Sequence, residues 1–371
     1  MMLRFVRALS PIVVLIASSA QAEGSFSGRT RFDLDRPEIR AFVEATATAQ
    51  KIEPLEIYRL LAKAEPQPKI IELITKPAEK VSPWYEYRAR FMTEQRIDEG
   101  ARFLVEHRKR LEKAHRETGV APEYVVAIIG VETFYGRITG KHRVLDALAT
   151  LAFDYPPRQD FFRSELAHFM QLSREEDVDP LTALGSYAGA MGAGQFMPSS
   201  YRAYAVDGSN DSRRNLFADW DDVIASVANY FKKHGWVADG PVLSDAVLQP
   251  DAPIVADPGN LKLNETIGGL KSKGVDFDNA KQPETTPVLL IPAEQQNGPS
   301  YRVGFKNFEV ITRYNRSVRY AMAVHDLATT IADRADRADG ATAEKGESPR
   351  READDTTQLA AHPRPDRIAA R

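Results

Sequence analysis

Apolar residues from Pro37 to about Gly119 recur at intervals of three and four, so this stretch is predicted to be helical. Short amphipathic pieces fall at 37–50, 55–64 and 69–75, with prolines between them. A longer helix is predicted after Thr93, with Ile97, Ala101, Leu104, Val105 and Leu111 on its apolar side. Gly119 reads as a stop and Pro122 as the first-turn residue of the next helix. Further on, Asp146 is predicted to cap a helix running through Leu148 and Leu151. Phe161, Phe162, Leu166, Phe169 and Met170 mark another, and Val223, Val227 and Phe231 share one side of 219–234. Past Trp236 proline and glycine become frequent, with β-like runs at 288–291 and, alternating, at 301–305. Helix returns over 317–332. Residues 333–371 hold almost no large apolar side chains and are expected to form a disordered tail. There is no internal repeat.

One polar residue interrupts the most apolar segment. The run from Tyr124 to Val131 ends at Glu132, and helical spacing puts Ile129, Ile128 and Val125 on the same face. A carboxyl in that stripe would be poorly hydrated, would keep its proton to higher pH and could act as a general acid. The other reading is a glutamate at a helix end that reaches water, and on spacing alone this is the commoner outcome.

Composition narrows the classes. Charged residues are 27% of 371 and the net charge is −3, which gives no sign of nucleic-acid binding. Arg4 and Arg7 precede an apolar stretch from Ala8 to Ala17, and Ala20, Gln21 and Ala22 offer a cleavage site. This predicts export with a signal peptide at 1–22 and a periplasmic location; an uncleaved anchor is the alternative. The chain has no cysteine, which excludes disulfides, thiolate chemistry and a lipid anchor on cysteine.

Two clusters stand out besides Glu132. Between Gly185 and Tyr201 lie four glycines at 185–194, which suit either a groove wall close to a ligand or tight packing. Thr312 to Tyr320 holds two tyrosines and an asparagine at a strand-to-helix junction, fit for sugar contacts or for a turn with core aromatics. Val-Glu-Thr-x-Tyr-Gly-Arg at 131–137, Leu-Asp-Ala-Leu-Ala-Thr-Leu at 145–151, the glycine stretch, Ser-Val-Ala-Asn-Tyr-Phe at 226–231 and Ile-Thr-Arg-Tyr-Asn at 311–315 stand in one order. Together they resemble the B family of lytic murein transglycosylases, across about 84–328 and most loosely between 237 and 304.

The resemblance implies an α+β, mainly α fold: a goose-type lysozyme-like catalytic core (121–240), a helical domain (23–120, joined by 306–332) and a small β-containing domain (241–305). It implies cleavage of the β-1,4 bond between N-acetylmuramic acid and N-acetylglucosamine in peptidoglycan glycan strands, leaving a 1,6-anhydro ring. Glu132 matches the family's catalytic glutamate. Tyr87, Ser186, Gln195, Tyr230, Tyr314, Asn315 and Tyr320 match positions lining the sugar groove. No second acid stands in a motif, so one glutamate would serve as acid and then base, with the substrate's N-acetyl group assisting. A hydrolytic muramidase and a non-catalytic peptidoglycan-binding scaffold are the alternatives. Partner proteins of cell-wall synthesis or remodelling would fit such a role.

A loop from Asp207 places oxygen-bearing side chains at Asp207, Ser209 and Asp211, opens like an EF-hand calcium loop, and expects a backbone carbonyl at Arg213. Asp222 could close the cage, and the family carries such a loop. Ser212 replaces the usual glycine and Ala218 the closing glutamate, so a structural calcium and a plain turn both stay open. No cofactor is expected to be required for catalysis. Pro157 replaces the first of two arginines common in relatives, leaving Arg158 to meet a muramyl carboxylate or peptide stem. The histidines form no helix-spaced pair, and neither a phosphate-binding loop nor a nucleophile elbow is present.

Overall fold

The structure is a computed structural model that describes residues 30–75, 82–253 and 256–346. The proposed signal peptide, its cleavage site and the end of the tail therefore lie outside the described residues. Three proline-led helices open the chain: α1 (Pro37–Gln50), α2 (Pro54–Leu61) and α3 (Pro68–Thr75). A six-residue helix, α4 (Trp84–Ala89), follows. The long predicted helix is two: α5 (Glu94–Glu106), capped by Thr93, and α6 (Arg108–Thr118). They part at His107, whose ring is buried against Phe103 and Trp220 with centroids 4.2 and 5.4 Å away.

Gly119, at φ 74°, ends α6, and Pro122 starts α7 (Pro122–Thr133), as the sequence predicts. Strand β1 (His142–Arg143) leads into α8 (Val144–Asp154), and a 3-10 turn at Pro156–Arg158 into α9 (Gln159–Glu175). Strand β2 (Leu184–Gly185) pairs antiparallel with β1. Then come α10 (Pro198–Tyr204) and α11 (Trp220–Lys233), the latter capped by Asp219. Asp146 is not the cap expected of it: it sits inside the first turn of α8. There its carboxylate accepts from Arg143 Nε and Nη2 and from the Glu65 backbone N–H.

The β-containing part is richer than its two apolar runs suggest. Strands β3 (Leu243–Leu248), β4 (Glu265–Thr266), β5 (Val275–Phe277), β6 (Pro287–Pro292) and β7 (Tyr301–Gly304) form an antiparallel sheet in the order β4-β6-β7-β3-β5. A short helix, α12 (Ile267–Ser272), covers part of it. This unit buries its own cluster, including Ile267, Leu270, Val275, Val288 and Phe305. A second, larger cluster among the described residues runs from Phe32 to Ile331 and takes in Leu289 and Ile291 of β6, so no break between cores falls at residue 120.

The chain returns through α13 (Lys306–Tyr314) and the 29-residue α14 (Val318–Gly346), which packs on α5 and α7. This corrects the expected end of order at 333. Ala335 is buried, while Arg334 pairs with Glu94 at 2.8 Å and also with Asp98 on α5. Few large side chains are needed when alanines meet a neighbouring helix and charges bridge to it.

Candidate active site

Helix α7 is apolar nearly all round, and its residues from Tyr124 to Gly130 are buried. Such a helix belongs inside a protein. Val125, Ile128 and Ile129 are 1%, 0% and 0% exposed, so the face expected around Glu132 is dry. Glu132 itself keeps a partial opening to the surface but is densely surrounded by protein. Burial pushes its pKa up to about 7, and the Tyr320 hydroxyl, donating to Oε1 at 2.5 Å, holds the rise back. Desolvation wins because it penalises only the charged form.

The helix stops one residue later by unusual means. Phe134 and Tyr135 both adopt left-handed backbone, at φ 52° and 59°, which bulky side chains rarely take. Their surroundings hold them there. Tyr135 donates its hydroxyl to the Arg96 carbonyl at 2.8 Å, and Arg96 lies 4.8 Å over the Phe134 ring. Arg96 Nε also donates to the Gly130 carbonyl. Sequence motifs gave no role to Arg96, because a single arginine on another helix carries no local pattern.

The glycine stretch is pinned to the segment after Glu132. Thr133 Oγ1 donates to the Ala193 carbonyl at 2.8 Å, and Gln195 Nε2 donates to the carbonyls of Thr139 and Gly192, both at 3.0 Å. A Cβ at Gly185, Gly189, Gly192 or Gly194 would press into Ala190, Leu148, Leu216 or Tyr314 and its neighbours. Close packing is thus what those glycines serve. The turn they allow presents Ser186, whose hydroxyl oxygen accepts from the Ala188 and Ala190 N–H groups.

Tyr320 bonds Glu132, and Tyr314 and Tyr87 lie near enough to feel its charge. Tyr320 and Tyr314 have pKa values raised well above the ordinary one, chiefly by burial and then by the Glu132 charge. Tyr87 is raised by burial, pulled back by Arg319 and Arg90, and pushed again by Glu132. Tyr314 donates its hydroxyl to the Gly194 carbonyl at 2.6 Å, joining α13 to the glycine stretch, and Asn315 follows it with an exposed side chain. Tyr230 is buried, with its ring 4.8 Å from that of Tyr314 and its hydroxyl on the Arg313 carbonyl at 2.7 Å. Burial raises its pKa to about 12. Its ring packs against that of Tyr314. Arg158 stays exposed, stacked 4.4 Å over Phe161, and none of its described contacts reaches Glu132.

The loop at 207–222 does not assemble the expected ligand set. Among the described residues no three His, Cys, Asp or Glu side chains lie where one metal ion could hold them. Asp222 is fully buried, with Oδ1 accepting from the Gly208 and Ser209 N–H groups and Oδ2 from that of Asn215. Burial pushes its pKa up and those donors pull it back. Asp207 likewise accepts from the Asp211 and Ser212 N–H groups, and Asp211 from that of Arg213. The opening half, Asp207, Ser209 and Asp211, fits a calcium loop; Asp222 is a backbone clasp and does not fit as its closing ligand.

A lysozyme-like helical core with one desolvated glutamate facing tyrosines and a glycine-built turn defines a class of glycan-cleaving enzyme. The profile of the Transglycosylase SLT domain family matches residues 35–329, and the chain belongs to that family. It is 39% identical over 311 residues to membrane-bound lytic murein transglycosylase B of Escherichia coli K12, covering 80% of this chain and 83% of that one. Among solved structures it resembles catenated lytic transglycosylase SltB1 from Pseudomonas aeruginosa. There the TM-score is 0.77 at 44% identity, over 81% of this chain and 98% of that one. It also resembles Escherichia coli lytic transglycosylase Slt35 in complex with calcium, at TM-score 0.74 and 38% identity, over 83% and 96% of the two chains. The chain is therefore a lytic murein transglycosylase enzyme. No described helix is long and apolar enough to cross a membrane.

Proposed function

We propose that Glu132 alone carries both proton transfers in cleaving the β-1,4 bond between N-acetylmuramic acid and N-acetylglucosamine in peptidoglycan. The observation that carries this is a carboxyl at the end of the buried helix α7, bonded by the Tyr320 hydroxyl at 2.5 Å, whose burial pushes its pKa up to about 7. A carboxyl so poised is half protonated at neutral pH and can give a proton and take one back. Glu132 protonates the glycosidic oxygen as the C1–O bond breaks, and the substrate's acetamido oxygen bonds to C1 in its place. The 6-hydroxyl oxygen then displaces that oxygen from C1 and loses its proton to the Glu132 carboxylate. No water is consumed, and the muramic residue ends as a 1,6-anhydro ring.

The neighbours divide the remaining work. Ser186 orients the acetamido group, and Gln195 and Asn315 border the ring. Tyr87 supplies a flat face, while Tyr314 and Tyr320, held by hydrogen bonds, shape the pocket around the acid. Tyr230 acts through Tyr314, and Arg158 meets a muramyl carboxylate or peptide stem. The product decides the chemistry: mass spectrometry of digested murein is expected to show fragments one water lighter than reducing ends. Reducing ends alone would mean a hydrolytic muramidase. The leader-like residues 1–22 and the wall substrate support an exported, periplasmic enzyme working beside other wall-remodelling proteins.

Tyr320→Phe removes the donor that favours ionised Glu132. The glutamate's pKa then rises, so the alkaline limb of the activity profile moves to higher pH, by about one unit on the usual scale of such a bond. A limb that stays in place would remove Tyr320 from this role.

The 207–222 loop closes on its own backbone. Ten millimolar calcium is expected to raise the melting temperature by less than about 1 °C relative to chelator, because a site lacking its closing carboxylate gives little linkage energy. A rise of several degrees in scanning calorimetry would show instead that Asp207, Ser209, Asp211 and the Arg213 carbonyl suffice for a structural calcium.

A further inference from the structure

One buried carboxylate away from Glu132 joins three separate parts of the molecule. Asp326 on α14 is 6% exposed and lies between two guanidinium groups. Arg88 of α4 reaches Oδ2 at 2.5 Å, and Arg302 of β7 reaches Oδ1 at 2.6 Å. Arg302 also pairs with Asp245 of β3 at 3.1 Å and stacks 5.6 Å over the ring of Trp84, the first residue of α4. The Tyr85 N–H donates to the Glu294 carbonyl, a second tie from α4 to the β unit. From α14, Arg319 donates to the Ser82 carbonyl at 2.6 Å and lies 5.4 Å over the Tyr87 ring.

Helix α4 is only six residues long and buries a single side chain, Trp84. A helix so short has little stability of its own and takes its place from what grips it. The grip is Asp326 and Arg319 from α14 and Arg302 from the sheet. What it holds is Tyr87, the next residue before Arg88 and one of the three rings that feel the Glu132 charge. The same helix α14 carries Tyr320, so both ends of this arrangement share one rigid element.

We infer that Asp326 is a positioning residue: by holding Arg88 and Arg302 together it fixes the Tyr87 wall of the glycan groove relative to Glu132. The inference rests on the proposed reading of the groove. Removing the charge leaves two arginines around a neutral partner and frees α4 to shift, so substrate loses a preformed wall while the acid itself is untouched.

The test combines binding and turnover. In a Glu132→Gln background, adding Asp326→Asn is expected to weaken calorimetric binding of β-1,4-linked N-acetylglucosamine hexamer about tenfold. With Glu132 present, Asp326→Asn should raise KM on solubilised murein glycan by a similar factor, with kcat within threefold and the pH profile unmoved. Asp326→Glu should recover part of the loss. When Tyr87→Ala is already present, Asp326→Asn should cost less than a further twofold, because its effect passes through that ring.

A lowered melting temperature with unchanged KM and unchanged hexamer affinity would overturn the inference, leaving Asp326 a stabilising residue only. Full additivity with Tyr87→Ala would overturn it too. If Asp326→Asn fails to fold, Arg88→Gln, which alters the more exposed half of the clasp, takes its place, with normal hexamer affinity counting against the inference. Wild-type protein that releases no muropeptides would sink the murein reading itself, an outcome distinct from active wild type with an unaffected variant.

Discussion

Glu132→Gln should lose nearly all release of muropeptides, by a factor of a thousand or more, while binding glycan within a few-fold of wild type. An amide can neither donate a proton to the leaving oxygen nor accept one from the 6-hydroxyl, and general acid–base steps alone are worth about 10²–10⁴. The same variant should be more stable than wild type in alkaline solution. The folded-state pKa of about 7 lies above the ordinary glutamate value of 4.5. Between those values the folded protein binds the proton and the unfolded chain does not, so wild-type stability is fully present below about pH 4.5 and declines as pH rises through 7. Glutamine carries no such penalty. The variant's advantage should be near zero at pH 4 and roughly 3 kcal/mol at pH 8, the shift of about 2.5 units converted at 1.36 kcal/mol each. Denaturant titrations at both pH values check it. A variant with normal turnover would remove Glu132 from the mechanism, and one with equal stability at pH 8 would contradict its burial.

A second large effect is expected at a residue with no chemistry of its own. Gly140 sits at φ +106°, and a methyl added there would land on the Gly185 carbonyl and the Ser186 N–H. Gly140→Ala combines a disfavoured backbone conformation with a backbone clash where β1 meets β2. Stability should fall by about 2–4 kcal/mol. Any folded fraction should have Ser186 displaced, with murein turnover down by about two orders of magnitude. Melting curves and muropeptide release from the same preparation test both halves. Normal activity would mean that the Ser186 turn tolerates displacement.

The elements legible in the sequence are those whose signals are local. The prolines that open α1, α2 and α7 and the glycine after α6 mark helix ends correctly because such signals act on adjacent backbone. Glu132 stands out in the sequence because an acid among aliphatics is locally anomalous; spacing alone favours a helix-end side chain in water, whereas the structure buries the face around it. Arg96, Tyr135 and Asp326 were invisible in that role. The partners described for them lie 24 to 238 residues away, so no spacing rule connects them. Asp146 reads as a cap because a side chain near a helix start looks the same in sequence whether it caps its own helix or clasps a distant loop. The end of α14 is not legible in the sequence because low apolar content says nothing of a neighbouring helix ready to receive alanines. Strands β3 and β5 are not legible for a related reason: β3 carries Ser244 and Asp245 in place of an apolar run, β5 has only three residues, and the sheet supplies their stability.

Because Tyr320 and Asp326 arrive on α14, the acid and its surroundings are encoded nearly two hundred residues apart. During synthesis Glu132 emerges long before them, in a chain that can bury much of its aliphatic helix yet has nothing to steady the carboxyl. A polypeptide cut short before Val318 would carry Glu132 without its Tyr320 partner and without the helix that packs on α5 and α7.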